Sequence, residues 1–184
     1  MQVTKTAFPG LVVIEPKVFG DNRGYFFESY SARSLSAAGI DIVFVQDNQA
    51  RSSYGVVRGL HYQKEPYAQT KLIRALEGSI LDVVVDCRKG SPSFGKVFSI
   101  ELSAENKLQL LVPKGFAHGY SVLSETAEVL YKCDEFYHKA SEGGVMVNDP
   151  ALQIDWKIPA DKMILSEKDL LNQPFAAVDH PFQF

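Results

Sequence analysis

The sequence predicts an all-β fold, an antiparallel sandwich or barrel with short flanking helices. Three observations carry this. Most apolar runs are short, β-branched or aromatic, and bounded by turn residues, the pattern of strands. Only two segments carry helix signals. No Pro/Gly/Ser linker, repeat or low-complexity tract interrupts the chain, so residues 1–184 read as one domain large enough to bury a core.

In order, the predicted strands are Leu11–Glu15, Tyr25–Ser29, Ile42–Gln46, Val56–Tyr62, Lys71–Leu76, Ile80–Asp86, Lys96–Leu102, Gln109–Val112, Gly119–Leu123 and Glu128–Cys133. Ser31–Ala38 is expected to be helical because Gly39 follows it as a C-cap residue. Ser166–Asn172 opens with Ser, then Glu and Asp, as a helix start does. The end, Pro174 to Phe184, keeps three Phe residues and is expected to pack on the domain or on a partner subunit.

Composition narrows the function classes. Hydrophobic residues are 46% and charged residues 22%, ordinary soluble usage. No stretch reaches the roughly 20 apolar residues of a membrane helix. Met1 to Leu11 lacks the apolar core of a signal peptide. The expectation is a soluble, cytoplasmic protein with no membrane partner. The net charge of −3 argues against a nucleic-acid binder. Cys87 and Cys133 lie in no CxxC or Cys/His cluster, so they read as packing residues in strands.

Four segments carry chemistry. In Gly55-Val56-Val57-Arg58-Gly59-Leu60-His61-Tyr62-Gln63, alternation puts Val57, Gly59, His61 and Gln63 on one strand face and Arg58 on the other. A bulge at Gly59 would bring Arg58 and His61 into one cavity. In Pro113-Lys114-Gly115-Phe116-Ala117-His118-Gly119, a turn precedes a His that opens a strand. In Glu128–Asp134, Tyr131 shares an apolar, inward face with Val129 and Cys133. In Ile164–Asp169, a carboxylate sits at a helix start, where the dipole favours it. Three of them have a structural alternative: a hydrogen-bonded core histidine for His61, an aromatic core residue for Tyr131 and a first-turn charge for Asp169. Lys71 has one too, as a solvated strand-end lysine.

The segment Pro113–His118 resembles the second cupin motif, P-x-G-x-x-H, and Gly55, five residues, then His61 resembles the opening of the first. The resemblance implies a double-stranded β-helix, the cupin or jelly-roll barrel. Two departures speak against a bound metal. Gln63 stands where a metal cupin carries its second His. Lys71 stands where the family carries a glutamate ligand, and a protonated lysine has no acceptor.

Taken together, the chain resembles the dTDP-4-dehydrorhamnose 3,5-epimerase family almost end to end. The resemblance rests on Glu15–Glu28, Phe44–Asn48, Arg58–Gln63, Val112–Gly119 and Leu165–Asp169, in that order. It implies epimerisation of a dTDP-4-keto-6-deoxyhexose with no metal or redox cofactor, and a homodimer. It implies His61 as general base, Asp169 as the carboxylate that orients it, Tyr131 as general acid and Lys71 beside the ketone. It implies substrate contacts from Arg23, Phe26, Glu28, Gln46, Asn48, Arg58, His118, Glu142 and Lys168. No G-x-G-x-x-G for a nicotinamide is present. The family often has Trp where this chain has Val147, which is expected to alter packing near the ligand, and Gly where it has Thr70. Relatives that invert one carbon use the same acid–base set, so the number of inverted carbons stays open here. Two other classes compete: a metal-dependent cupin enzyme, which Gln63 and Lys71 contradict, and a non-catalytic sugar-binding jelly roll.

Overall fold

A computed structural model describes all residues 1–184. Its elements are β1 (Gln2–Lys5), β2 (Val12–Glu15), β3 (Phe19–Asp21), β4 (Gly24–Phe26), α1 (Ala32–Ala37), β5 (Gln46–Ser53), β6 (Val57–Gln63), β7 (Lys71–Glu77) and β8 (Ser79–Asp86). They continue as β9 (Arg88–Lys89), β10 (Val97–Ser103), β11 (Gln109–Val112), β12 (Phe116–Val122), β13 (Thr126–Cys133), β14 (Glu142–Gly144), α2 (Glu167–Leu170) and β15 (Phe182–Gln183). A six-stranded sheet runs β1-β2-β11-β7-β13-β5, and a five-stranded sheet runs β10-β8-β12-β6-β14. Pairing within both is antiparallel. Non-consecutive neighbours in both sheets give the jelly-roll barrel.

Strand β8 shows how the layers are set. Its residues point alternately to two faces, and apolar residues cover both. Ile80 and Val84 join Ile73, Leu110, Phe116 and Val129 in the core between the sheets. Leu81, Val83 and Val85 join Leu60, Tyr62, Trp156 and Phe182 on the outer side of the five-stranded sheet. A third cluster, Val12, Ile14, Leu35, Leu72 and Leu111, seats α1 on the outer side of the six-stranded sheet. Ser31 caps α1 by accepting from Ser34 N at 3.3 Å, and Gly39 follows it with φ +79°.

The tail packs on its own domain. Phe182 is buried, and β15 pairs in parallel with β9. Arg88 lies over the Phe116 and Phe184 rings, at 4.4 and 5.1 Å, and forms an ion pair with the fully buried Asp86. No helix is long and apolar enough to cross a membrane.

Several expected elements are corrected. The strand expected over Ile42–Gln46 begins where that run ends: Ile42 and Phe44 pack against the third cluster, and β5 runs through Gln46–Ser53. The strand expected over Tyr25–Ser29 stops at Phe26, because β4 pairs only with β3 in an exposed hairpin. β12 starts at Phe116, so His118 lies inside the strand rather than opening it. α2 is four residues long, shorter than Ser166–Asn172. Cys133 ends β13, but Cys87 falls between β8 and β9; both thiols are free and buried.

Candidate active site

The two sheets enclose a cavity of about 520 Å³. His61 and Arg58 reach it from β6, His118 and Tyr120 from β12, Lys71 from β7 and Tyr131 from β13. The strap Ile164–Asp169 closes one side. A smaller lobe of about 150 Å³ shares His61, Lys71 and Tyr131 and adds Gln46, Asn48, Gln69, Tyr137 and Glu142.

Arg58 and His61 share the cavity because β6 is bulged. His118 pairs with His61, but Tyr120 pairs with Arg58, so three steps on β6 match two on β12. Gly59, with φ +140°, sits in the bulge. A side chain on the facing Gly119 would meet Arg58 O at 2.5 Å. The bulge also overturns the simple alternation: Val57 belongs to the outer core cluster with Leu60 and Tyr62.

His61 Nε2 lies 2.5 Å from Asp169 Oδ1. The carboxylate is 3% exposed and the imidazole 32%. Burial alone would raise the Asp169 pKa. The pairing with His61, together with hydrogen bonds from Ser166 and the Gly59 backbone, outweighs it and holds the carboxyl below its ordinary value. Asp169 is therefore an anion next to a histidine open to the cavity. Ser166 caps α2 by accepting from Asp169 N at 3.1 Å, which fixes the start of the helix that delivers the carboxylate.

Tyr131 and Lys71 come from the opposite sheet. Burial pushes the Tyr131 phenol up to about 12, so it holds its proton at neutral pH. Lys71 Nζ lies 5.9 Å from the Tyr131 ring centroid. Burial lowers its pKa, against the pull of Cys133, Asp82 and Glu142. If charged Lys71 stabilises an anion in turnover, the rate falls as pH rises through this lowered value. The expected profile of kcat against pH has an alkaline limb below the ordinary lysine range, and Lys71→Met removes the limb with a loss of ~10²–10³-fold. A limb unchanged in that variant would assign it to another group.

The other expected residues divide into two groups. His118 lies 2.9 and 3.0 Å from the two oxygens of Asp82. Arg58 Nε donates to Ser52 at 3.1 Å, leaving the ends of its fork free. Lys168 is 2.6 Å from Glu142 at the mouth. Gln46 donates to Asn48 at 3.0 Å in the smaller lobe. Arg23, Phe26 and Glu28 are not brought to this cavity. Arg23 is 85% exposed and paired with Asp21 on the β3–β4 hairpin. Phe26 and Glu28 line a hollow with Leu35 and Leu72, on the outer side of the six-stranded sheet. The hairpin pairs with neither main sheet, and Lys107 lies over its Tyr25 ring at 4.4 Å. Val147, buried beside Trp156 in the outer core, does not line the cavity, so the expected effect on ligand packing has no contact behind it.

Sequence reasoning missed Asp82, Tyr120 and Tyr137. Asp82 had a signal: one carboxylate inside Ile80-Leu81-Asp82-Val83-Val84-Val85 must find a partner once buried. Gln63 proves to be a clip. Its amide donates to Tyr67 O at 2.7 Å and Phe136 O at 3.1 Å and accepts from His138 N at 2.7 Å. No group of three or more His, Cys, Asp or Glu side chains is placed to hold a metal ion.

The His61–Asp169 pair, from β6 and α2, thus faces the protonated Tyr131 phenol and Lys71 from the other sheet. The family model described as dTDP-4-dehydrorhamnose 3,5-epimerase matches residues 5–177. The chain belongs to that family. A 3,5-epimerase of Shigella flexneri in this family is 50% identical over 181 residues, 98% of this chain and 99% of its own. The crystal structure of the Elizabethkingia anophelis dTDP-4-dehydrorhamnose 3,5-epimerase superposes with TM-score 0.91 at 55% identity, over 96% of this chain and 97% of that one. The Legionella pneumophila dTDP-6-deoxy-D-glucose-3,5-epimerase, in complex with dTDP-4-keto-L-rhamnose, superposes with TM-score 0.94 at 44% identity, over 100% and 98%. These epimerases share the cupin-type jelly roll described above.

Proposed function

We propose that this chain, as one domain over residues 1–184, epimerises dTDP-4-dehydro-6-deoxy-D-glucose at C3 and C5 to dTDP-4-dehydro-L-rhamnose, in dTDP-L-rhamnose biosynthesis. The observation that carries the mechanism is the opposition of the His61–Asp169 pair and Tyr131 across one cavity, with Lys71 beside Tyr131. The C4 ketone acidifies the hydrogens at C3 and C5. His61 takes one, and the electron pair moves onto the ketone oxygen. The Lys71 ammonium, already oriented and partly desolvated, stabilises the enolate. Tyr131 then delivers its proton from the opposite face, which inverts the carbon. His61 is left protonated and Tyr131 ionised, and both reset by proton exchange before the second carbon is inverted. No electron leaves the sugar, so the reaction calls for no redox cofactor. The free ends of the Arg58 fork, with Lys168, suit the diphosphate.

The test is incubation with dTDP-4-keto-6-deoxyglucose in heavy water containing a chelator, with NMR of the recovered nucleotide sugar. The expected result is deuterium and inversion at both C3 and C5. Label at one carbon would indicate a mono-epimerase, and no label a binding protein. Activity that vanishes with the chelator and returns with one divalent ion would overturn the metal-free reading.

Arg23, Phe26 and Glu28 serve substrate in this reading through a second copy of the chain, because their own cavity is out of reach. The hairpin exposes Phe19, Tyr25 and Phe26 by 54, 64 and 67%, an apolar surface suited to a homodimer. Two inactive variants, Arg23→Ala and His61→Asn, are expected to complement. In a mixed dimer one site carries both lesions and the other neither, so differently tagged, co-expressed hybrids recover about half of wild-type turnover. Hybrids no more active than their parents would place Arg23 in its own chain's site.

A further inference from the structure

The strap carrying Asp169 is held in an unusual way. Within α2 the only buried residue is Asp169 itself. Leu170 and Leu171 are 62 and 78% exposed, and Ile164 is 53% exposed. A four-residue helix has little stability of its own. Leu165, half-buried just before the helix, packs against the outer core cluster, and α2 itself is held by attachments at its two ends.

Both attachments are visible. At the start, Val57 N donates to Ile164 O at 2.9 Å, and Ile164 N donates to Gly55 O at 2.8 Å. At the end, Met146 N donates to Gln173 O at 2.9 Å, and Val145 forms a bridge with Gln173. Between the second attachment and the helix lies Asn172, packed against Gly144. A Cβ on Gly144 would sit 2.6 Å from Asn172 Oδ1 and 2.7 Å from its Cγ and Nδ2. Gly144 is also the β14 residue paired directly with His61 on β6. One glycine therefore sits beside the base and under the end of the helix that carries its carboxylate. Its φ is outside the left-handed region, so space, not backbone freedom, is what the missing side chain provides. Asn172 Nδ2 is buried with no hydrogen-bond partner, so steric fit, not bonding of that nitrogen, describes this contact.

The geometry points to Gly144 as a positioning residue, whose missing side chain leaves the seat that Asn172 occupies and so lets Asp169 reach His61. The inference rests on the reading of His61 and Asp169 as a working pair. A methyl at 144 overlaps the Asn172 amide by about 1 Å, and because Nδ2 is enclosed a positioning role requires that the displacement pass to the end of α2 rather than be absorbed by rotation of the side chain. A misplacement of that size costs up to ~10²-fold in rate.

The experiment follows the His61 imidazole by NMR titration in the substrate-free protein, beside turnover, nucleotide binding and thermal unfolding. In Gly144→Ala the midpoint of His61 is expected to fall relative to wild type, because a withdrawn carboxylate no longer favours the imidazolium. Turnover falls ~10²-fold while dTDP binding is kept. Asn172→Ala alone stays near wild type. Gly144→Ala/Asn172→Ala regains both the titration and the rate, because the side chain that blocked the methyl is gone. If Gly144→Ala does not fold, Asn172→Phe applies the same push from the helix side and must lower the midpoint likewise. A wild-type titration and rate in Gly144→Ala, or a double variant no better than the single one, overturns the inference. The titration needs no substrate, so it stands apart from the proposed reaction: wild-type protein that fails to label sugar while Gly144→Ala still shifts His61 would sink the function and keep the seat.

Discussion

Replacing His61 with alanine is expected to abolish hydrogen exchange at both C3 and C5 while nucleotide binding survives. General bases contribute ~10²–10⁴-fold, and the cavity holds no close substitute. The other histidine there, His118, is 7% exposed and tied to both oxygens of Asp82. Exchange surviving at one carbon alone would mean that a second base serves that carbon. Asp169→Asn should slow the same step and shift the acid limb of the pH–rate profile to lower pH. The sign follows from the pairing: the carboxylate holds its anionic form beside the ring, and an amide gives the imidazolium no opposite charge. Near-normal turnover in His61→Ala would remove His61 from the mechanism.

Tyr131→Phe is expected to separate exchange from inversion. His61 still takes a proton and Lys71 still stabilises the enolate. The nearest donor is then the protonated His61, on the face from which the proton left. Deuterium from heavy water enters with configuration retained, and inversion slows by ~10²-fold or more. Phe keeps the ring beside the core packed between the sheets, so the fold is expected to tolerate it. The measurement is proton NMR of the recovered nucleotide sugar, with label and stereochemistry scored at each carbon. Inversion at the wild-type rate would show that water or another side chain returns the proton. Tyr120 would be the first to examine, because its hydroxyl is buried near this wall without a hydrogen-bond partner.

The strand-rich barrel was legible because its buried strands are apolar and short. Runs such as Ile80–Asp86 and Gln109–Val112 agree with the observed strands to within a residue. β5 was not legible. Its inward residues Gln46, Asn48 and Ser52 face or adjoin a polar cavity and its outward residues face solvent, so no alternation of apolar and polar marks it. The short pairs β9, β14 and β15 carry too few residues to show a period.

For the site, the sequence by itself determined the chemistry on offer: a histidine, a phenol, a lysine and a carboxylate, each in a segment resembling one family. It also located the glycine where a bulge would have to fall. Only the tertiary structure decided which of these residues meet. The bulge that brings Arg58 beside His61 exists through pairing with β12, about sixty residues away in sequence. Asp169 meets His61 across 108 residues because the strap is fastened at Gly55 and Gln173. Arg23, Phe26 and Glu28 carry the same kind of motif, yet stand outside the cavity. Local sequence sets strand faces and helix caps through neighbours a few residues apart. Convergence of side chains on one cavity depends on contacts between distant segments, and those form only as the two sheets close on each other.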